Sequence, residues 1–227
     1  MMSDREKRTA GESAAALVRD GMVIGLGTGT TMMYAIKQLG ELVRDGLSIL
    51  AVPTSHETEM LAIEEGIPLT SLWKHTSLDL AIDGADQVDS KLNAIKGGGG
   101  AHTREKVVAC SAKRFVVAIE ENKLVDVLNH PVPLEVLPCA WKFVETQVKE
   151  LGGKPQLRLA QKKDGPAITD NGNFIIDVDF GKIIDPLKLS EDISTIPGVI
   201  EHGIFTNINE VHVGRKAGVD VLKRKIS

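Results

Sequence analysis

The chain has 227 residues, room for one large domain or for a large and a small one. Hydrophobic residues make up 42% and charged residues 26%, ordinary globular values, and a formal net charge of −4 argues against nucleic acid as the main partner, which would need a basic face. No apolar run approaches the roughly 18 residues that span a bilayer, so no membrane partner is expected either.

Residues 4–19 read as a helix with Ala14, Ala15, Leu17 and Val18 on its apolar side. "MVIGLG" (22–27) is a short apolar run ending in glycine, as in a strand buried on both faces. Met32, Met33, Ile36, Leu39 and Val43 then recur at helical spacing. "SILAVP" (48–53) is a second buried strand, and Thr54-Ser55 can cap a helix over 56–65. "LDLAID" carries a third strand, a helix is predicted over 104–112, and "RFVVAIE" (114–120) is a fourth strand. Strands alternating with helices predict a doubly wound α/β domain with a mostly parallel sheet.

From "HPVPLEVLP" onward the pattern changes, and its three prolines suit a linker and an edge strand. A helix follows at 140–151, with Trp141, Val144, Val148 and Leu151 in phase, stopped by Gly152-Gly153. "PQLRLA" reads as a strand and "TDNGNFIIDVDF" as a turn and a strand. "DPLKLSEDIS" reads as a helix with Pro186 in its first turn, and "GVIEHGIF" as a last strand. This β-α-β-β-α-β order predicts a smaller ferredoxin-like α+β domain. The expected division is a Rossmann-like catalytic domain of 1–128 and 207–227, to which "EVHVGRK" returns, and a small domain of 129–206 suited to oligomerisation. The basic run Lys223-Arg224-Lys225 reads as a solvated tail.

Cys110 and Cys139 form no CxxC pair and fit free thiols in a reducing compartment, and the polar start "MMSDREKRT" is no signal peptide, so a cytoplasmic location is expected. The six histidines show neither HxH nor HExxH spacing, which disfavours a histidine-built metal site.

The candidate chemistry follows the strands of the parallel sheet, where open α/β folds bind ligands. "GLGTGTT" (25–31) fails as a dinucleotide loop, because the third required glycine falls on Thr30 or Met32 and Thr54-Ser55 replace a ribose-binding acid. What remains is a turn with three threonine hydroxyls opening a helix, suited to a lone phosphate, or a plain capped turn. In "IDGADQVDSKLNAIKGGGGAHTREK" (82–106), Asp83, Asp86 and Asp89 could face Mg²⁺, although Lys91 and Lys96 could neutralise them without an ion. Four consecutive glycines cost conformational entropy, and they suit a backbone that presents N–H groups to a ligand or a developing anion. Glu105 alone reads as a first-turn glutamate favoured by the helix dipole. Beside Lys96, Asp83 and Asp86 it points to proton transfer on a small phosphorylated substrate.

"GLGTGTT", "IDGADQVD" and "KGGGGAHTREKVVA", in this order and spacing, resemble A-type ribose-5-phosphate isomerase, as do "LGGKP", "TDNGNFIIDV" and "IPGV". The resemblance implies interconversion of ribose 5-phosphate and ribulose 5-phosphate in the pentose phosphate pathway, with no metal or organic cofactor, by a homodimer or homotetramer. It implies Glu105 as general base, Asp83, Asp86 and Lys96 as further catalytic residues, and Lys7, Thr28, Gly29, Thr30, Thr31 and Lys123 on the substrate. Gly84, Ala85, Gly97, Gly98 and Gly99 complete the substrate-binding set. Two departures stand out: Thr30 replaces a frequent serine, and His102 occupies a position that is usually apolar. The rivals are a sugar-phosphate sensing module, for which only about twenty residues precede the first strand, and an amino-sugar-phosphate deaminase or acyl-CoA transferase on the same architecture.

Overall fold

The computed structural model describes residues 2–162 and 164–224. Its contacts divide the chain into one compact unit of 1–85, 104–124 and 207–227 and a second of 86–103 and 125–206. The segment 86–103 thus belongs with the second unit, whereas the sequence pattern places it with the first.

The elements of the first unit begin with α1 (Met2–Ala15), β1 (Val23–Leu26), α2 (Thr30–Arg44), β2 (Leu50–Pro53), α3 (His56–Glu64) and β3 (Leu80–Asp83). Between the units' segments come β4 (Gln87–Asp89), β5 (Ala94–Ile95) and α4 (His102–Ser111), and then β6 (Phe115–Glu120) and β7 (Leu124–Val125). The second unit continues with β8 (Val132–Val136), α5 (Trp141–Glu150), β9 (Lys154–Leu157), β10 (Phe174–Asp179), α6 (Pro186–Ser194), β11 (Val199–His202) and β12 (Ile204–Phe205). The chain ends with β13 (Glu210–Arg215) and β14 (Gly218–Lys223).

The first unit holds a six-stranded sheet in the order β14-β13-β6-β3-β1-β2, parallel except for β14. The chain leaves β1 towards β2 and then crosses back to β3 on the other side of β1. The loops after β1 and β3 therefore open from a topological switch point, the crevice where such sheets bind ligands. Ile24, Leu26, Ile82 and Val116 pack with Met32, Ile36 and Leu39 of α2 and with Ala10 and Ala14 of α1, burying the apolar runs of the sequence on this face. Ser55 caps α3 as its sequence predicts, accepting from Thr58 N at 3.1 Å.

The second unit carries the antiparallel sheet β11-β8-β10-β9, the strand order of a ferredoxin-like fold. Its core joins Val132, Leu134 and Val136 of β8 with Val144 and Val148 of α5, Ile176 and Val178 of β10 and Ile193 of α6. The fold class is the predicted one: a mostly parallel doubly wound sheet with a smaller ferredoxin-like unit.

Four local expectations are corrected. β8, the proline-rich run, is central and wholly buried rather than an edge strand. It accommodates Pro133 because the ladder with β11 ends at His202–Leu134, and beyond it the Pro133 carbonyl accepts from Gly203 N at 2.8 Å. The predicted last strand is two, β11 and β12, which separate at Gly203 and join different sheets. The stretch 83–103, where no regular element is predicted, contains the hairpin β4–β5, turned by Leu92 at φ 60. The basic C-terminal run is not a loose tail: Lys223 ends β14, and Arg224 donates through Nε to Ile208 O at 2.7 Å. Lys225 lies outside the described residues.

Candidate active site

In the first unit, β1 delivers the loop 27–31 and β3 delivers Asp83. Asp83 is 2% exposed, and its Oδ1 accepts from Gly84 N at 2.7 Å and Thr28 N at 3.1 Å. One carboxylate oxygen thus fixes both loops of the switch point. Gly27 is required for this approach, since a Cβ there would lie 2.0 Å from Asp83 Cγ.

The Thr28 hydroxyl turns inward, 2.9 Å from Thr54 Oγ1, 2.8 Å from Ser55 Oγ and 3.1 Å from Thr58 Oγ1. Thr58 in turn donates to Gly27 O at 2.8 Å, so a hydroxyl cluster stitches the loop to the start of α3. Gly29, at φ 105, caps α2 without a side chain, and Thr30 behind it is exposed while Thr31 is buried. Lys7 on α1 and Lys123 after β6 both face Glu120, at 3.9 and 3.8 Å. The structure therefore joins these two lysines through one buried carboxylate.

Glu105 lies on the first turn of α4 and is only 5% exposed. A carboxylate serving the helix dipole alone would sit in water, where it costs nothing to keep charged. Ala85, at the end of the "DGA" turn, is buried as well.

In the second unit, Asp86 Oδ2 accepts from Gly98 N at 2.8 Å, so this aspartate holds the glycine run by its backbone. Lys96 is 2% exposed, with its ammonium 5.4 Å from the centre of the Phe205 ring. Gly97 has φ 105, and a Cβ on it would meet the His102 ring 2.7 Å away. His102 is wholly buried, and its ring packs against Gly97 of the run. Gly100 N closes a turn onto Gly97 O at 2.9 Å. Asp89 is occupied in the β4–β5 turn: Oδ1 accepts from Lys91 N and Asn93 N, and Oδ2 from Asn93 Nδ2 at 2.9 Å. It belongs to the hairpin.

Sequence reasoning missed Glu135. It is fully buried on β8 and receives Thr103 Oγ1 at 2.5 Å, Thr169 Oγ1 at 2.9 Å, Asn173 Nδ2 at 2.8 Å and Asn171 Nδ2 at 3.0 Å. Burial pushes this carboxyl up, but the donors outweigh it and hold it below the ordinary glutamate value. The available signals were a lone acid inside an apolar strand and the amide-rich "TDNGN".

With this geometry in place, comparison with known proteins decides the family. The family model described as ribose 5-phosphate isomerase A (phosphoriboisomerase A) matches residues 50–218. This chain belongs to the ribose 5-phosphate isomerase A family. Ribose-5-phosphate isomerase A of Methanosarcina acetivorans is 61% identical over 94% of this chain and 92% of its own length. That of Haloarcula marismortui is 53% identical over 96% of each. The solved structure of ribose 5-phosphate isomerase A from Methanocaldococcus jannaschii superposes with a TM-score of 0.93 at 48% identity, over 96% of this chain and 97% of that one. A D-ribose-5-phosphate isomerase solved in complex with phospho-erythronic acid gives 0.96 at 48% identity, over 99% and 100%. As a member of the ribose 5-phosphate isomerase A family, the chain is an isomerase. Among its described residues no helix is long and apolar enough to cross a membrane.

Proposed function

We propose that the chain interconverts D-ribose 5-phosphate and D-ribulose 5-phosphate through an enediolate, with Glu105 as general base, as a step of the pentose phosphate pathway. The observation that carries this reading is the burial of Glu105 on the first turn of α4, immediately after the glycine run. Moving a carbonyl from C1 to C2 requires removal of the C2 proton, which is acidified by the neighbouring aldehyde. Glu105 takes that proton and returns it to C1. Lys96 and the glycine-loop amides other than that of Gly98, which Asp86 holds, stabilise the charge on the enediolate oxygens. Asp83 exchanges protons with the sugar during ring opening, and Asp86 keeps the glycine run in place.

The phosphate end fits the first unit. The amides that open α2, the Thr30 hydroxyl and the ammonium groups of Lys7 and Lys123 suit a dianion. Thr28 and Gly29 shape that loop, and Thr31 anchors it from the buried side. The family likeness supports a pentose 5-phosphate substrate, since a relative of this fold is solved with phospho-erythronic acid. The smaller unit serves assembly into a homodimer or homotetramer, and the location is cytoplasmic.

The test is a coupled assay on ribose 5-phosphate run in heavy water, with and without EDTA. Turnover that resists the chelator and places deuterium at C1 of the product is expected. Deuterium-free product together with turnover lost to the chelator would instead indicate a metal-assisted hydride shift.

A further inference from the structure

Arg158, just beyond β9, is a charged residue of the second unit that no step above uses. Its guanidinium meets Asp177 of β10 in a fork, Nε to Oδ2 at 2.8 Å and Nη2 to Oδ1 at 2.5 Å. Its remaining nitrogen, Nη1, donates to the carbonyl oxygens of both Gly97 and Gly98, at 3.0 and 3.1 Å. The side chain is 21% exposed, and that of Asp177 is 29% exposed. Such a fork is rigid, because two parallel bonds fix the guanidinium plane.

The consequence follows from the planar trans peptide, in which a carbonyl and the next N–H point in opposite directions. Drawing the Gly97 carbonyl towards Arg158 drives the Gly98 N–H the other way, and that N–H is found on Asp86 Oδ2 at 2.8 Å. Drawing the Gly98 carbonyl likewise turns the Gly99 N–H away from Arg158. Glycines have no side chains to choose among these orientations, so an unbraced run would sample many of them. A cation on the carbonyls also polarises both peptide groups and strengthens their N–H donors.

We propose that Arg158, held by Asp177, is a positioning residue for the isomerisation: it sets the two peptide planes of the glycine run so that the Gly98 amide stays on Asp86 and the Gly99 amide faces the developing oxyanion. This rests on the reading above, in which the free amides of the run stabilise an enediolate. Preorganised donors act on the transition state more than on the bound substrate. Arg158→Ala should therefore lower kcat by about 10- to 100-fold while KM changes by less than about threefold. Inhibition by phospho-erythronic acid, whose carboxylate carries two oxygens like the enediolate pair, should weaken by a similar factor. Arg158→Lys keeps the charge but loses the fork, and should recover little; added methylguanidinium should restore part of the kcat of Arg158→Ala. Should that variant not fold, Asp177→Asn gives the same pattern at smaller amplitude.

A lowered melting temperature with wild-type kcat and unchanged inhibition would overturn the proposal, leaving Arg158 a structural tie. Glu105→Gln assayed in parallel separates the two levels. If it abolishes turnover while Arg158→Ala does not, only the role of Arg158 fails. If both variants turn over normally, the enediolate reading fails with it.

Discussion

The hydroxyl of Thr103 donates to the Glu135 carboxylate at 2.5 Å, so the first turn of α4 is tied to β8. Two residues further along the same turn stands Glu105.

Glu135→Gln should destabilise the fold by about 2–4 kcal/mol, because an amide cannot accept from all four donors and its own N–H₂ would face them. The pH dependence has a definite sign. The folded carboxyl lies below its unfolded value of roughly 4.3, so its stabilisation is complete above that pH and is lost as the pH falls through the folded value. Thermal unfolding should show a steeper acid limb in the wild type than in Glu135→Gln; equal limbs would mean that another carboxylate governs acid unfolding.

A second buried polar chain runs through the first unit. Ser13 Oγ lies 2.8 Å from His212 Nδ1, and His212 Nε2 lies 2.8 Å from Glu210 Oε1, with Glu210 also paired to Arg114. Burial pushes the imidazole below its ordinary value, and Glu210 offsets this only in part. A neutral ring that accepts from Ser13 and donates to Glu210 satisfies the whole chain. The unfolded state therefore takes up a proton first, and stability falls as the pH drops below about 6.5. His212→Leu should unfold at lower temperature at neutral pH, yet lose this slope between about pH 7 and 5.5. A slope retained in the variant would assign the effect to another histidine.

The legible parts of the molecule are those written locally. Runs such as "VIGL" and "FVVAIE" announce buried parallel strands, and the loops after them declare themselves through glycine and hydroxyl residues. The β4–β5 hairpin was illegible because its strands have three and two residues and its turn uses Leu92 instead of an Asn-Gly pair. Pro133 misled because the rule against proline in central strands is waived where the neighbouring ladder stops. No local pattern singles out Arg158 or Asp177, and Glu135 stands out only as a lone acid in an apolar run. Only pairing at long range, such as Arg158 with Gly97 at a separation of 61 residues, gives them a role.

Lys7 and Lys123 converge on Glu120, and their proposed task is the substrate phosphate. Alanine at either position should raise KM for ribose 5-phosphate about tenfold with kcat changed far less, since a remote charge-assisted contact is made equally in ground and transition states. The two losses should not add, because both ammonium groups share one carboxylate. Reaction on free ribose should be poor and unaffected by either change; free ribose turning over as well as the phosphate would remove the phosphate handle.

The sharpest prediction concerns Glu105. Its position on the first turn of α4 fits a helix-dipole charge, but its burial does not. Glu105→Gln keeps size and helix compatibility and removes the base. If the residue served only the dipole, the change would cost at most about 1 kcal/mol of stability and leave turnover alone. As general base, its loss should lower kcat by roughly 10²- to 10⁴-fold with the fold and KM nearly intact. Asp83→Asn, whose Oδ1 holds the Thr28 and Gly84 amides, should lose stability as well as ring opening, and should be less damaging to C2 exchange in open-chain substrate. Solvent-deuterium exchange at C2, measured alongside thermal unfolding, separates the two variants. A Glu105→Gln protein that exchanged the C2 proton at the wild-type rate would take Glu105 out of the mechanism and return it to the helix dipole.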